Sequence, residues 1–540
     1  MNSQLKPLPT GHSTLATLID EGMVYIDKTP LVHRLTRYPG RFFLSRPRRF
    51  GKSLLVDTFQ QLFEGNERLF RDLYIHDQWD WSRRHPVIKI DFAGAELRTP
   101  QALDEHVAYL LEENQERLGL DCGEYTSASS CLGRLIRHAS EHFGEKVVVL
   151  VDEYDKPMLD NIENLEVAAE MRSGLKNLYS VLKAHDPYLQ FVFLTGVTKF
   201  SKVSIFSGIN QLQDISLNKS YATICGYTQQ DLETSFGGHL AGVDWARLRR
   251  WYNGYRFLGE AVYNPFDILL FISNDRMYRN YWFETGSPAF LVKLFRQRRY
   301  FLPELESIEV GEEILDSFDI EHINPVTLLF QSGYLTIDSV RTRHEELKFR
   351  LVVPNQEVKT SLNKYFLDAY LAMPMDQRGR YQDQLYDTLI EADLPQLIAT
   401  LKRLFAAIPW RNFTNNAMAD FEGYYASVLF AFFESLNAQV IPEDITNQGQ
   451  VDMTIELEGW IYVMEIKLLD SAAELVEGEN PALEQIQARG YSEKYRGKAS
   501  QGLFELGLVF GRAERNLIQA DWLKIHEIEG VTAKLKTVRH

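Results

Sequence analysis

Short apolar runs alternate with longer segments of helical spacing over roughly the first 235 residues. Phe42-Phe43-Leu44 is followed by a polar loop and then by Leu54-Leu55-Val56, which reads as strand, loop, helix. Residues 86–92, 146–152 and 190–194 are further core-strand candidates, and 101–145 place apolar side chains at helical spacing. Residues 24–29 read as a strand running into a helix cap. Residues 206–210 carry on from the 190 strand, and Gly226-Tyr227-Thr228 opens a helix. Strands alternating with helices predict a parallel α/β sheet.

Beyond residue 240 the pattern changes. Trp251, Tyr252, Tyr255, Phe257, Tyr263, Phe266, Tyr281 and Trp282 crowd a stretch broken by glycine turns such as Asn253-Gly254. Such aromatics suit either a packed core or a surface on which bases stack. Residues 393–408 form an amphipathic helix pattern with Asp393 at its N-cap and Pro395 in its first turn. A boundary is expected near 375–415. After it come strand candidates at 438–443, 449–455 and 460–467, a helix starting near Asp420-Phe421-Glu422, and a helix entry at 482–486. The chain is therefore read as three parts: 1–240, 241–410 and 411–540.

Composition narrows the class. With 540 residues the chain is too long for one core. The hydrophobic content of 45% and charged content of 24% are those of an ordinary globular protein. No apolar run reaches 18 residues and no basic-then-apolar leader stands at the N-terminus, so a cytoplasmic protein with no membrane partner is expected. Cys122, Cys131 and Cys225 are few and odd in number, which predicts reduced thiols and no cysteine-held zinc. The net charge of −16 argues against a chain-wide nucleic-acid surface but not against a local basic one.

Three segments carry candidate chemistry. The loop Arg46-Pro47-Arg48-Arg49-Phe50-Gly51-Lys52-Ser53 ends in Gly-Lys-Ser, as a phosphate-binding loop does. Successive backbone N–H groups at a helix N-terminus attract an anion. Lys52 would reach the terminal phosphates and Ser53 would hold Mg²⁺; Arg46, Arg48, Arg49, Phe50 and Gly51 complete the cradle. The usual first glycine is Arg46 here, and a plain turn before a helix fits the same letters. The run 146–154 ends in Asp152-Glu153 after five apolar residues. There Asp152 would bind Mg²⁺ and Glu153 would polarise a water, although a core strand with a charged turn would look alike. The strand at 190–194 ends in Thr195-Gly196-Val197-Thr198, where Thr195 and Thr198 are candidates to sense the γ-phosphate, although plain strand-end hydroxyls would look alike. In the C-terminal part Asp452 precedes Glu465-Ile466-Lys467 by thirteen positions in a predicted hairpin. Alternation puts Glu465 and Lys467 on one face. Two carboxylates and an ammonium suit metal-assisted phosphodiester hydrolysis, with Mg²⁺ or Mn²⁺. Glu422 could join the metal from the preceding helix, and Gln485 stands at the next helix entry. A charged sheet edge would use the same residue types.

The chain resembles bacterial and archaeal proteins that join an AAA-ATPase-like domain to a PD-(D/E)XK nuclease-like domain. The words that carry the resemblance are residues 25–29, the loop 46–53, Val151-Asp152-Glu153-Tyr154-Asp155-Lys156-Pro157, residues 194–200, Tyr263-Asn264-Pro265, Gly449-Gln450-Val451-Asp452 and Glu465-Ile466-Lys467. The resemblance implies a P-loop parallel-sheet domain, a mixed helical and aromatic-rich middle, and a C-terminal α/β restriction-endonuclease-like domain. It implies that Asp452, Glu465 and Lys467 are the nuclease core, with Gln485 on the following helix. Arg46 is the family's own form of the loop and leaves open whether ATP is hydrolysed or only bound. Relatives often carry arginine where Gln450 stands. The expected activity is an ATP-regulated, Mg²⁺-dependent nuclease acting on DNA in preference to RNA, assembled as a homo-oligomer, in defence or mobile-element biology. The rival is a nucleotide-switched regulatory or scaffold protein whose nuclease fold does not cut.

Overall fold

The computed structural model describes residues 5–199, 212–282, 307–316, 324–371, 375–408, 422–436 and 438–525. The segments 206–210, Pro409-Trp410 and Asp420-Phe421, singled out above, lie outside them. Five parallel strands, β1 (Gly40–Ser45), β2 (Val87–Asp91), β3 (Val147–Asp152), β4 (Leu189–Gly196) and β5 (Gln213–Asp214), form a sheet in the order β2-β3-β4-β1-β5. All six residues of β3 are buried, because helices cover both faces of a parallel sheet. The helices Lys52–Phe63, Pro100–Leu118, Ala128–Phe143 and Leu165–Ala184 supply that cover. Thr99, Ser127 and Asn164 each cap a helix by accepting a backbone N–H, so the starts of three of these helices follow from local chemistry.

Register places the functional ends level. Leu44 pairs with Thr195, Ser45 with Gly196 and Asp91 with Asp152. The carboxyl ends of β1 to β4 thus share one edge, where parallel sheets bind ligands. A small antiparallel sheet of β6 (Ile308–Gly311), β7 (Thr336–Arg343) and β8 (Glu346–Val352) follows in the order β6-β8-β7.

The second large sheet has the order β13-β12-β11-β10-β9, built from β9 (Gln439–Thr446), β10 (Gly449–Leu457), β11 (Trp460–Leu469), β12 (Gly502–Gly511) and β13 (Asn516–Ile525). A hairpin joins β10 to β11 through left-handed Glu458 and Gly459. β11 and β12 are parallel, so the chain between them must cross over, and it does so through the helix Pro481–Arg489. The chain is α/β throughout, with a parallel sheet first and a mixed sheet last. The described residues fall into two compact units, one of residues up to 282 with 307–358, the other from 359 onward. The stretch 241–410 is therefore divided between the two units.

Several expectations need correction. Residues 24–28 form no strand: Val24 donates one backbone bond to Pro7, and Val24 and Ile26 instead bury their side chains in a core cluster with Tyr252 and Tyr263. The aromatics of 251–282 are mainly core. Tyr252, Tyr255, Phe257, Tyr263, Tyr281 and Trp282 are all buried, as a packed core requires. Cys122 and Cys131 are joined in a disulfide, with Cα atoms 5.4 Å apart, while Cys225 is free and buried. The connection between two helices folds Cys122 back onto Cys131, a contact that residue spacing does not reveal. Asp393 caps its helix as expected, accepting the Gln396 N–H at 3.0 Å, with Pro395 in the first turn. Among the described residues no helix is long and apolar enough to cross a membrane.

Candidate functional site

Two side-chain constellations carry chemistry. The first lies at the carboxyl edge of the parallel sheet. β1 ends at Ser45, and the loop closes on Gly51, which is left-handed (φ 88°) with open space where a Cβ would stand. Arg49 is left-handed too (φ 68°). Such turns gather N–H groups into a concave, electropositive cradle. The Lys52–Phe63 helix starts immediately after, adding its N-terminus. The loop opens onto a cavity of about 680 Å³, the size of a nucleotide pocket. Arg48, Arg49, Gly51, Lys52, Ser53 and Glu153 line one end. Apolar side chains line it as well, among them Pro9, Tyr25, Ile26, Tyr227, Leu269 and Phe266, whose ring lies 4.9 Å from the Arg49 guanidinium.

Lys52 Nζ rests on the carbonyls of Arg46 and Pro47 at 3.0 and 3.1 Å. Burial draws its pKa down, opposed by Asp152, Glu153 and Asp155. Asp152 Oδ1 accepts the Glu153 N–H at 2.9 Å, while Oδ2 is buried without a well-aligned hydrogen bond. Burial pushes Asp152 up to about 6, offset in part by the adjacent Ser53 hydroxyl. A buried carboxylate beside a serine hydroxyl, one of its oxygens without a well-aligned donor, fits the ligand set of a nucleotide-bound Mg²⁺. Glu153 adopts φ 49°, a strained value for a residue with a Cβ. Its carboxyl is raised by burial, with Lys52 and Arg48 pulling it back.

Two expected ligands sit elsewhere. Arg46 is 1% exposed and does not line the cavity. Its guanidinium donates to the carbonyls of Ser45 and Ser216 at 2.8 Å and of Tyr221 at 3.2 Å, and stacks 3.8 Å from the Phe257 ring centroid. It is an internal brace, because the residue at the strand end points into the protein body. Thr195 is fully buried and donates to the Leu44 carbonyl at 2.9 Å, which leaves it facing β1 and not the cavity. Phe50 anchors the loop through its ring, 4.9 Å edge-on to Tyr255.

Asp155 escaped the sequence reading as a site residue. It accepts the Val197 N–H at 3.1 Å, and the Thr198 N–H and hydroxyl at 2.6 Å each, tying the turn after β3 to the turn after β4. A Cβ on Gly196 would lie 2.3 Å from Asp155 Oδ1, so glycine is required there. Asp91 was missed as well. It pairs with Asp152 in register and raises its pKa. An acid ending the neighbouring strand was the available signal.

The second constellation lies on the mixed sheet. The β10–β11 ladder runs from Leu457 opposite Trp460 to Met453 opposite Met464, so Asp452 comes next opposite Glu465. Glu465 Oε2 is 3.4 Å from the Asp452 N, and Asp452 Oδ2 accepts the Ile466 N–H at 2.7 Å. Lys467 Nζ donates to Glu465 Oε1 at 2.9 Å, which is the same-face geometry expected of alternate strand residues. Gln485 donates to the same Oε1. Its helix is fixed by Asn480, which caps it at Ala482 and Leu483 and donates to Gly507 O at 3.1 Å. Gly507 lets that helix lie directly on β12, since a Cβ there would meet Leu483 N at 2.3 Å. Glu422 Oε2 accepts the Leu468 N–H at 3.1 Å from the start of the Glu422–Ser435 helix. Gln450 is exposed.

The electrostatics are those of acids forced together. Burial and Glu465 push Asp452 up to about 7. Burial raises Glu465, with Lys467 pulling it back. Burial would lower Lys467, yet Glu465, Glu422 and Asp452 outweigh it and its pKa is raised. Among the described residues no three His, Cys, Asp or Glu side chains gather closely enough to enclose a metal ion. Asp452 and Glu465 nonetheless offer adjacent hard-oxygen donors whose raised pKa values mark a deficit of positive charge, the donor chemistry of Mg²⁺ or Mn²⁺.

The comparisons agree with this division. A family model described as a predicted AAA-ATPase matches residues 9–206, and one described as the PD-(D/E)XK nuclease superfamily matches residues 420–520. An uncharacterized protein encoded in the vnfD 5′ region of Azotobacter chroococcum is 45% identical over 514 residues, covering 95% of this chain and 98% of its own. Two solved structures align weakly. The Aeropyrum pernix ORC1 protein in complex with DNA has 12% identity, covers 65% of this chain and 96% of its own, and has a TM-score of 0.29. Drosophila ORC bound to poly(dA/dT) DNA and Cdc6 has 14% identity, covers 78% and 59%, and has a TM-score of 0.22. Agreement that low carries no argument.

Proposed function

From a chain that belongs to the family of the Azotobacter protein, with a predicted AAA-ATPase domain joined to a PD-(D/E)XK nuclease superfamily domain, we propose a nucleotide-controlled, metal-dependent nuclease acting on DNA in preference to RNA. The observation that carries this reading is the meeting of Asp452, Glu465, Lys467 and Gln485 at one point of the mixed sheet. Asp452 and Glu465 would hold Mg²⁺ or Mn²⁺. The bound ion would polarise the phosphodiester and lower the pKa of a water. Lys467 carries a proton firmly, as its raised pKa implies, and so stabilises developing negative charge. Gln485 keeps Glu465 oriented.

At the other site Lys52, Arg48 and Arg49 supply positive charge for the phosphates of ATP, and Ser53 with Asp152 suits its Mg²⁺. Glu153 would orient the attacking water. A defence or mobile-element role in the cytoplasm, and action as a homo-oligomer, belong to this reading as expectations of the family.

One observation favours a second reading, a nucleotide-switched scaffold with a silent nuclease fold. Glu465 Oε1 is engaged by both Lys467 and Gln485, and Gln450 offers no charge to a phosphate. Incubating the purified chain with Mg²⁺ or Mn²⁺, with and without ATP, on single- and double-stranded DNA and RNA separates the two. Metal-dependent cleavage lost in Asp452→Asn supports the nuclease. Intact substrates under every condition, with ATP still bound, support the scaffold.

A further inference from the structure

The helix Trp245–Tyr252 and the turn at 276–279 carry a cluster that neither site uses. Arg247, Arg250, Arg276 and Arg279 are exposed, and among the described residues none makes an ion pair. Among the described residues some exposed arginines, such as Arg68 and Arg83, hold a carboxylate and others, such as Arg71 and Arg341, do not, so it is the clustering of four that sets this surface apart. The cluster is also built. The Arg247 guanidinium lies 4.2 Å from the Tyr278 ring centroid, and Trp251 lies 5.5 Å from the same ring. Tyr252 pins Arg279 through its hydroxyl, which accepts the Arg279 N–H and donates to its carbonyl at 3.0 Å. Arg276 reaches the Ala241 carbonyl at 2.7 Å. Among the described residues the acids on these two segments are Asp244, whose carboxylate caps the helix at Ala246 and Arg247, and Asp275. Four guanidinium groups against two carboxylates leave this surface positive on a protein of net charge −16.

We propose that this surface binds the phosphodiester backbone of a nucleic-acid strand. The planar fork of arginine matches phosphate oxygens, and stacking on a ring holds it ready. Trp251 and Tyr278 are half-buried beside these arginines. The proposal rests on the nucleic-acid reading above and adds to it a holding surface on the ATPase unit.

The test uses the full chain in EDTA, so that nothing is cut, and a fluorescein-labelled 30-nucleotide DNA followed by anisotropy from 50 to 250 mM salt. The triple variant Arg247→Gln/Arg250→Gln/Arg279→Gln should bind about tenfold to a hundredfold more weakly, with a log–log salt slope shallower by about 2. ATP affinity serves as the check on folding; if the triple variant fails it, the single Arg250→Glu is read in the same way. Parent-like affinity and slope in the variant, while the parent still cleaves with Mg²⁺, would overturn the surface and leave the nuclease standing. A parent that neither binds nor cleaves DNA or RNA would overturn both. Loss of binding to phosphatidylserine vesicles with DNA binding intact would overturn the proposal in favour of a membrane.

Discussion

Replacing Arg46 by glycine restores the usual form of a phosphate-binding loop, yet the structure predicts damage. The guanidinium satisfies the Ser216 and Tyr221 carbonyls from another segment and covers the Phe257 ring. Each buried acceptor left without a donor costs about 1–3 kcal/mol. Loss of the desolvated cation–ring contact adds about 2 kcal/mol. Part of this is returned, because burial strains the charge and draws the Arg46 pKa down to about 10. The net destabilisation is then roughly 3–5 kcal/mol, which lowers the melting temperature by about 4–7 °C for a unit of this size. Differential scanning calorimetry of Arg46→Gly and of the parent measures it, and titration calorimetry with ATP at a temperature where both are folded measures the other half. Affinity for ATP should change less than threefold, since Arg46 does not line the cavity. A melting temperature within 2 °C of the parent together with tenfold weaker ATP binding would refute the brace and return Arg46 to the phosphates.

Lys52→Ala removes the buried cation of the loop and should weaken ATP binding about tenfold to a hundredfold, read by the same titration. Glu153→Gln should keep that affinity and slow phosphate release, and parent-like turnover would remove Glu153 from its assigned role. Asp452→Asn and Glu465→Gln should each abolish metal-dependent cleavage in a gel assay while ATP affinity and melting temperature stay near those of the parent. His85 is buried with Nδ1 2.8 Å from the Lys146 carbonyl, and burial lowers its pKa. The unfolded chain therefore binds the extra proton first, so His85 favours folding fully above pH about 6.5 and loses that contribution as pH falls toward its folded pKa. The urea midpoint of the parent should thus drop more between pH 7.5 and 5.5 than that of His85→Asn, and equal drops would contradict the assignment.

Much of both sites was legible because local rules sufficed. Five apolar residues before Asp152-Glu153 announce a strand covered on both faces, and β3 is that strand. Alternation along β11 put Glu465 and Lys467 on one face, and they meet at 2.9 Å. Asp393 and Pro395 marked a helix start through capping chemistry that needs no distant partner. The likeness to the ATPase–nuclease proteins rested on the same short words, and the two matched segments hold β1 to β4 of the parallel sheet and most of the mixed sheet.

What local letters did not contain is which way a side chain turns once the sheet is assembled. Arg46 and Thr195 stand at strand ends that face the cavity edge, but the pleat and the neighbouring carbonyls of Ser216, Tyr221 and Leu44 take their hydrogen bonds inward. Asp155 gives no local sign of its role, which appears only where β4 lies beside β3 and its carboxylate meets the Thr198 amide. The extended 24–28 segment lacked a partner strand, and the Cys122–Cys131 bond depended on how one loop returns. The sequence alone was enough for most elements around the two sites, the order of the chemistry and the family, because periodicity, capping and short motifs are properties of neighbouring residues. Tertiary structure alone decided which of those residues face the cavity and which brace the fold, because a buried polar group goes wherever a complementary partner from a distant segment satisfies it.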